Sequence, residues 1–387
     1  METSEINFTK KKRFYKRRWF KILITLLLII FLVGTVFIFK TGTALNKISL
    51  KGNLLKSLVQ SLPGSDSKLK GEDDGRINVA LLGMRGENVP GGGLLSDTII
   101  VLSIKPAENK VAMISVPRDL WVDNEVWNNK TKINAVYAAG EENGKKTGIE
   151  EMKKILSDAS GVTVDYGIAI NFEGFKELID SLGGIDINLS EPFTESVQFN
   201  EPRVCDNNVF TVPNGEYQQK KTKTRSGKIK VVKSYPLCYP DPKYVECGGN
   251  FTLPAGNVNL NGEKALCYVR SRYTSNDFER AKRQQIVLQA IKSKALSVGT
   301  LTDFSKISGV LNALGNNVRT DMETWELKRF FDIYQKMNSP QVIQDVLDNS
   351  EDGLLYSQES KETGYILLPK GDNFDRIHDL FANIFNK

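Results

Sequence analysis

Apolar residues along this chain change their period several times, and each change marks an element. The first apolar feature has no period at all: Ile22–Phe39, ILITLLLIIFLVGTVFIF, runs eighteen residues without a charge. At 1.5 Å per residue a helix of that length reaches roughly 27 Å, close to the hydrocarbon thickness of a bilayer. Trp19, Phe20 and Lys21 precede the run and Lys40 follows it, residue types that settle at membrane interfaces. One transmembrane helix is therefore predicted. The run exceeds the apolar part of a usual signal peptide, and Gly42-Thr43-Ala44 is a mediocre cleavage site, so the anchor is expected to stay uncleaved.

Residues 40–75 are polar and rich in Gly, Ser and Lys after a short helical stretch, and they read as a stalk. Strand signals follow: Ile77–Leu82, then a Gly-rich loop over Gly83–Gly93. Thr98–Ile104 and Lys110–Val116 are β-branched runs joined by the polar Lys105–Asn109, which predicts a hairpin. Gly148–Ser160 and Phe172–Leu182 have helical spacing, with a strand over Val162–Ile170 between them. Gly183-Gly184 stops the second helix, and Ile185–Leu189 alternates as another strand. Residues 190–250 break the pattern as an insertion. Helical spacing resumes at Asn261–Tyr268, Asp277–Leu296, Asp303–Leu314 and Met322–Met337. Gly353–Leu368 reads as short strands and Phe374–Phe385 as a last helix. This alternation predicts an α/β fold, a three-layer α/β/α sandwich around a mixed sheet. The expected main unit is 76–297, with 298–387 completing it rather than standing apart.

Charge refines the picture. The net charge is +6, but residues 1–21 hold eight Lys or Arg against Glu2 and Glu5. The excess is thus confined to the tail, and the rest of the chain is neutral. That argues against a nucleic-acid surface and, by the positive-inside rule, places the tail in the cytoplasm and the large part across the membrane. The insertion carries its own basic run, Lys220–Lys233, with seven Lys or Arg around Ser226-Gly227. A solvated hairpin is the plain reading of that run. Four cysteines, Cys205, Cys238, Cys247 and Cys267, suit an oxidising exterior, and no CxxC pair suggests zinc or thioredoxin chemistry. Their pairing is not legible, and Cys267, in an apolar run, would also be at home as a buried thiol. His378 is the single histidine, which leaves Ser-His and Cys-His mechanisms without a base and suits a structural or surface role.

Chemistry concentrates in Tyr268–Gln285, YVRSRYTSNDFERAKRQQ. Arg270 and Arg272 share a side if the segment between two helices is extended. Asp277, Arg280 and Gln284 fall on one helical stripe. Guanidinium forks beside a helix N-terminus make a site for adjacent phosphates. Arg118 stands after Pro117, where a strand must end, and Asp97 stands between the glycines and a strand. Asp97 is a candidate ligand for Mg²⁺ when substrate phosphates complete the shell.

The order of LLG at Leu81–Gly83, SDT at Ser96–Thr98, SVPRD at Ser115–Asp119 and KINAVYAAG at Lys132–Gly140 is specific. INFEGFKELIDSLGGIDI at Ile170–Ile187, LPAGNVNLNGEKALCYVRSR at Leu253–Arg272 and NDFERAKRQQ at Asn276–Gln285 complete it. Together they resemble the LytR–CpsA–Psr family of membrane-anchored envelope phosphotransferases. The resemblance implies a greasy cavity for a polyprenyl chain, a basic mouth for its pyrophosphate, and transfer of a glycopolymer onto peptidoglycan or another envelope acceptor. It implies Asp97 as a Mg²⁺ ligand, Arg118, Arg270 and Arg272 as phosphate clamps, and functional positions at Asp277, Arg280 and Gln284. A carboxylate base would be Asp97 or Asp277.

Two departures stand out. Many members carry an Asp soon after LLG and an Arg directly before the Ser-Asp; here those places hold Met84-Arg85 and Leu94-Leu95. Arg85 is a candidate to restore the lost positive charge. Alternatives to transfer are hydrolysis of the same lipid pyrophosphate, or lipid-phosphate binding without catalysis.

Overall fold

The computed structural model describes residues 67–87, 93–195, 203–205, 211–223, 228–240, 247, 251–271, 277–297, 310, 314–337, 339–360 and 362–386. The basic tail, the apolar run Ile22–Phe39, nearly all of the stalk and most of the helix expected over Asp303–Leu314 lie outside them. Among the described residues no helix is long and apolar enough to cross a membrane.

Strands β1 (Ile77–Gly86), β2 (Gly93–Lys105) and β3 (Lys110–Ser115) are followed by a small hairpin, β4 (Trp121–Asn124) and β5 (Asn129–Lys132). Helices α1 (Ala135–Glu141) and α2 (Gly148–Ser160), strand β6 (Tyr166–Asn171), helix α3 (Phe172–Ser181) and strand β7 (Ile185–Leu189) come next. The insertion holds β8 (Phe193–Glu195), β9 (Arg203–Val204), β10 (Thr211–Lys223) and β11 (Ile229–Pro240). Then follow β12 (Phe251–Leu253), β13 (Gly256–Leu260), α4 (Gly262–Arg270) and α5 (Asp277–Ser297). The last elements are β14 (Val318–Thr320), α6 (Thr324–Lys336), β15 (Gln341–Val346), β16 (Leu355–Ser360), β17 (Gly364–Pro369) and α7 (Asp375–Asn383).

The central sheet has the order β14-β6-β1-β2-β3-β15. β1, β2 and β3 form an antiparallel meander, so the predicted hairpin is present. β6 runs parallel to β1 and β15 parallel to β3, which makes the sheet mixed. Side chains alternate along β1 as a strand buried on both faces requires. Ala80, Leu82 and Met84 join one cluster with Val136, Ile149, Met152, Ile377 and Phe381, beneath α1, α2 and α7. Ile77, Val79 and Leu81 face Met322, Trp325 and Ile333 on the α6 side. Helices therefore cover both faces. A third cluster joins α3, β7, β13, α4 and α5 through Ile179, Ile185, Leu260, Leu266 and Val287.

Local chemistry sets the helix ends. The side chains of Asn171 and Asn261 accept the N–H groups of Gly174 and Lys264 at 2.9 and 3.0 Å, capping α3 and α4. Gly183 and Gly184, at φ 77° and 85°, turn the chain after α3 as expected. The Gly-rich loop expected over Gly83–Gly93 is shorter than that: β1 runs on through Gly86, which pairs with Gly93. β14 has three residues and β15 carries polar residues on an edge, so neither showed a strand period.

The insertion is a hairpin: β10 and β11 pair antiparallel, and β9 joins the other side of β11. Disulfides link Cys205 to Cys238 and Cys247 to Cys267. Cys267 is buried, yet it is a bonded half-cystine and not the free thiol its apolar setting allowed. His378 is structural, with Nε2 2.9 Å from the Asp158 carbonyl oxygen.

Helix α1 approaches the start of α2 at two glycines. A Cβ on Gly140 would lie 2.6 Å from the Cα of Gly148, backbone that cannot step aside. Gly140→Ala should therefore cost about 1–3 kcal/mol, the usual penalty of overpacking. Thermal unfolding of the variant would show a lowered Tm; an unchanged Tm would mean the two helices part freely.

Candidate functional site

The site begins with a missing pair. Across the β1–β2 ladder Gly83 pairs with Thr98 and Met84 with Ser96, so Asp97 has no partner. This is a β-bulge, which bends the strand and re-aims the extra residue's side chain. Gly83 permits it, because a Cβ there would lie 2.9 Å from the Thr98 Cβ.

Arg118 reaches the bulge from the end of β3, where Pro117 supplies no N–H and ends the ladder. Its Nη1 donates to Asp97 Oδ1 at 2.8 Å. Asp119 steers the same guanidinium from behind, with Oδ2 3.5 Å from Arg118 Nε. Asp119 is buried and in turn accepts from Lys132 Nζ at 2.6 Å. The segment after β5 closes the loop. Asn134 N donates to the Arg118 carbonyl at 3.3 Å, and Ser96 N donates to the Asn134 carbonyl at 2.9 Å. The SDT, PRD and KIN stretches, distant in sequence, are thus one hydrogen-bonded unit.

Helix α5 contributes the remaining groups. Arg280, almost fully buried, donates from Nη2 to the Asp97 carbonyl at 3.3 Å. Gln284, one turn on, donates from Nε2 to Thr98 Oγ1 at 2.7 Å. Gln285 faces the other way and bolts the helix to the sheet, donating to Ser115 Oγ and the Asp345 carbonyl at 2.8 Å each. Arg283 donates to the Tyr268 carbonyl at 3.2 Å and to the Ser271 carbonyl, and its guanidinium stacks 5.3 Å over the Phe193 ring. Burial pushes the Arg283 guanidinium below its ordinary pKa; it remains a cation, as arginine does in proteins. Arg283 therefore pins the end of α4, from which Arg270 projects.

The spacing argument is met in part. Asp97, Arg118, Arg280 and Gln284 line one pocket, with Phe278 and Val346 at its apolar side. Arg270 is the last residue of helix α4, and the stretch beyond Ser271 over which it was expected to share a side with Arg272 lies outside the described residues. Its guanidinium lies 4.6 Å over the Phe172 ring, outside the pocket lining. Phe172 follows Asn171, whose neighbour across the sheet is Met84, so Arg270 sits at the same end of the sheet as the bulge. Arg85 is half-buried on β1 beside Met84 and also outside the lining. Arg272 lies outside the described residues, and of Asp277 only the backbone, the first residue of α5, is described. The sequence alone assigns no role to Thr98, Asp119, Lys132 and Gln285. They stand inside the SDT, SVPRD, KIN and RQQ motifs, but only their partners in space reveal what they hold.

The pocket encloses about 20 Å³, the room of a single water. It is not the greasy tunnel the resemblance implied. Ile99, Val116 and Phe278, which border it, belong to the close-packed cluster under α1 and α2. Among the described residues no three His, Cys, Asp or Glu side chains cluster around one point. Asp97 has one oxygen engaged by Arg118 and a second available, a donor set that suits a hard cation only where substrate phosphates complete the shell. What the arrangement offers is positive charge fixed at a small opening: two arginines meet one residue, and a planar fork matches phosphate oxygens.

Replacing Gln285 by Leu should misplace α5, because the part-buried carbonyl of Asp345 and the buried Ser115 hydroxyl both lose this donor. Losing such bonds costs about 1–3 kcal/mol, to be read as a lowered unfolding midpoint. An unchanged midpoint would show that apolar packing alone seats the helix.

The family profile matching this chain is that of the LytR_cpsA_psr family, over residues 44–367. A polyisoprenyl-teichoic acid–peptidoglycan teichoic acid transferase TagU from Bacillus anthracis is 26% identical over 317 residues, 80% of each chain. Protein gbs0355 from Streptococcus agalactiae has a similar structure, with a TM-score of 0.55 at 22% identity over 83% of this chain and 92% of that one. TagT bound to LIIa-WTA gives a TM-score of 0.52 at 18% identity, over 81% of this chain and 91% of that one. With a matched span that takes in the bulge, the PRD turn and helix α5, the chain belongs to the LytR_cpsA_psr family.

Proposed function

We propose that this chain is a membrane-anchored, extracytoplasmic phosphotransferase that moves a glycopolymer from a polyprenyl-pyrophosphate carrier onto peptidoglycan or another envelope acceptor. The observation that carries this reading is the meeting of Arg118 and Arg280 on the bulged Asp97. The TagU relative, by its name, transfers teichoic acid to peptidoglycan, and family membership supports the same class of reaction here.

In the reaction an acceptor hydroxyl attacks the phosphorus next to the glycan. The new P–O bond forms as the pyrophosphate P–O bond breaks, prenyl phosphate leaves, and the hydroxyl proton passes to a carboxylate or to solvent. Arg118 and Arg280 stabilise charge on the transferring phosphoryl oxygens, while Gln284 and Thr98 hold the bulge in place. Asp97 would hold Mg²⁺ together with substrate phosphates, and that cation would neutralise charge on the phosphates. Asp97 and Asp277 are the candidate bases. No covalent enzyme intermediate is needed, which suits a chain with one histidine.

The purified full chain, given Mg²⁺, a short-chain polyprenyl-pyrophosphate glycan and peptidoglycan, should label the peptidoglycan. Phosphate release without labelling would make it a hydrolase, and donor binding without product a binder; either result overturns transfer. Arg118→Lys keeps the charge but loses the fork. Losing a charge-assisted bond of about 1.5–3 kcal/mol should lower kcat/KM roughly 10- to 100-fold. Arg85→Ala should lower it comparably if Arg85 replaces the missing clamp; unaltered turnover would remove Arg85 from the site. Deleting Ile22–Phe39 should spare activity on a soluble short-chain donor and abolish it on donor embedded in a bilayer. Equal losses on both donors would deny the anchor that role.

A further inference from the structure

The β10–β11 ribbon takes no part in the pocket, and its composition is not that of an ordinary solvated loop. β10 has thirteen residues, so the ribbon reaches roughly 40 Å at 3.3 Å per residue. Between Tyr217 and Tyr235 every residue whose side chain is described is exposed. Large apolar side chains are among them: Ile229 is 72% exposed, Val232 59% and Tyr217 61%. Aliphatic residues so far from a core lose the stabilisation of burial unless something covers them.

Their placement is ordered. Tyr217, Gln219 and Lys221 alternate on one face of the ribbon, and Val231 lies opposite Lys221 on that same face. Ile229, two residues before Val231, shares that face. Gln218, Lys220 and Thr222 occupy the other face, with Tyr235, Lys233 and Lys230 opposite them. Val232 is the extra residue of a bulge between the Lys220 and Lys221 pairings. The ribbon thus has one face bearing Tyr217, Val231 and Ile229 together with Lys221, and one bearing Lys220, Lys230 and Lys233, with no acidic residue anywhere in 217–235.

We propose that this ribbon is a second membrane contact, lying in the interface of an anionic lipid surface. Tyr217, Val231 and Ile229 enter the acyl boundary, and the lysines, Lys221 beside them included, extend on long flexible stems to the lipid phosphates. Amphipathic elements with apolar residues on one side and Lys on the other bind membranes in this way, and each Lys gains from the negative surface potential. Two other occupants fit less well. A polyanionic polymer explains the lysines but leaves Ile229, Val231 and Val232 in water. A second copy would set rows of lysines beside each other along the strand edges, a device that keeps edges apart. The contact is also linked covalently to the pocket end of the fold. Cys205–Cys238 ties β11 to the strand beside it, and Cys247–Cys267 ties the chain beyond β11 to α4, the helix that ends in Arg270. This proposal stands on the ribbon alone and does not depend on the transfer reaction.

All four cysteines are paired, so Ile229→Cys introduces a single reactive thiol for an environment-sensitive fluorophore. The labelled full chain would be reconstituted into phosphatidylcholine vesicles with and without phosphatidylglycerol. The expected result is a blue shift and intensity gain with phosphatidylglycerol, absent for a label at Thr222→Cys on the opposite face. Both changes should vanish when Lys220, Lys230 and Lys233 are changed to Glu. No spectral change at position 229 on anionic vesicles overturns the proposal. So does a change in detergent on adding a soluble polyphosphate, which would assign the ribbon to a polymer. A change in detergent that grows with protein concentration overturns it as well, assigning the face to a second copy. Labelling of peptidoglycan from a soluble short-chain donor should be the same in the triple-Glu variant and the wild type, which separates failure of this proposal from failure of the proposed catalytic reading.

Discussion

Asp97 lacks a partner across the β1–β2 ladder, and the geometry of the whole pocket depends on that unpaired residue. A regular strand would have sent its carboxylate to one face in strict alternation and left its carbonyl in the ladder. The bulge frees both. Arg118 takes the carboxylate and Arg280 the carbonyl, so cations from the end of β3 and from α5 meet at one residue. Gly83 makes the bulge possible by letting Thr98 come close, and Gln284 holds Thr98 from the helix side.

The arginines of the motif segment divide their work by what they face. Arg118 and Arg280 point at the bulge. Arg283, one residue before Gln284, points the other way and closes the C-terminal carbonyls of α4, where a buried cation is favourable against the helix dipole. Arg270 rests on an aromatic ring at the rim of the same sheet end. Asp119 and Lys132 fix the Arg118 turn by one half-buried ion pair. Preorganised charge of this kind lowers the reorganisation that binding an anion would need.

The insertion follows a different logic from the sheet. Its strands have little core to join, and covalent links stand in for burial: one disulfide within the ribbon's own sheet and one to α4. A small, exposed β-sheet is marginal without such support. The same exposure leaves its two faces free to differ, with Val231 and Ile229 on one beside Lys221, and Lys220, Lys230 and Lys233 on the other.

Much of this protein could be read before any coordinates. The β-branched runs of β2 and β3, the helices α2, α3 and α5, the Gly183-Gly184 stop and the hairpin around Lys220–Lys233 all follow from local periods and turn residues. Local physics acts over a few residues, and that is where sequence speaks. Membership of one helical stripe placed Arg280 and Gln284 together for the same reason. Which cysteines pair, that Arg270 ends a helix over Phe172, and that Ile99, Val116 and Phe278 beside the pocket join a buried apolar cluster were decided by tertiary structure alone. So was the bulge at Asp97: it exists only in the register between two strands, and a single strand's residues carry no record of the partner that skips one of them.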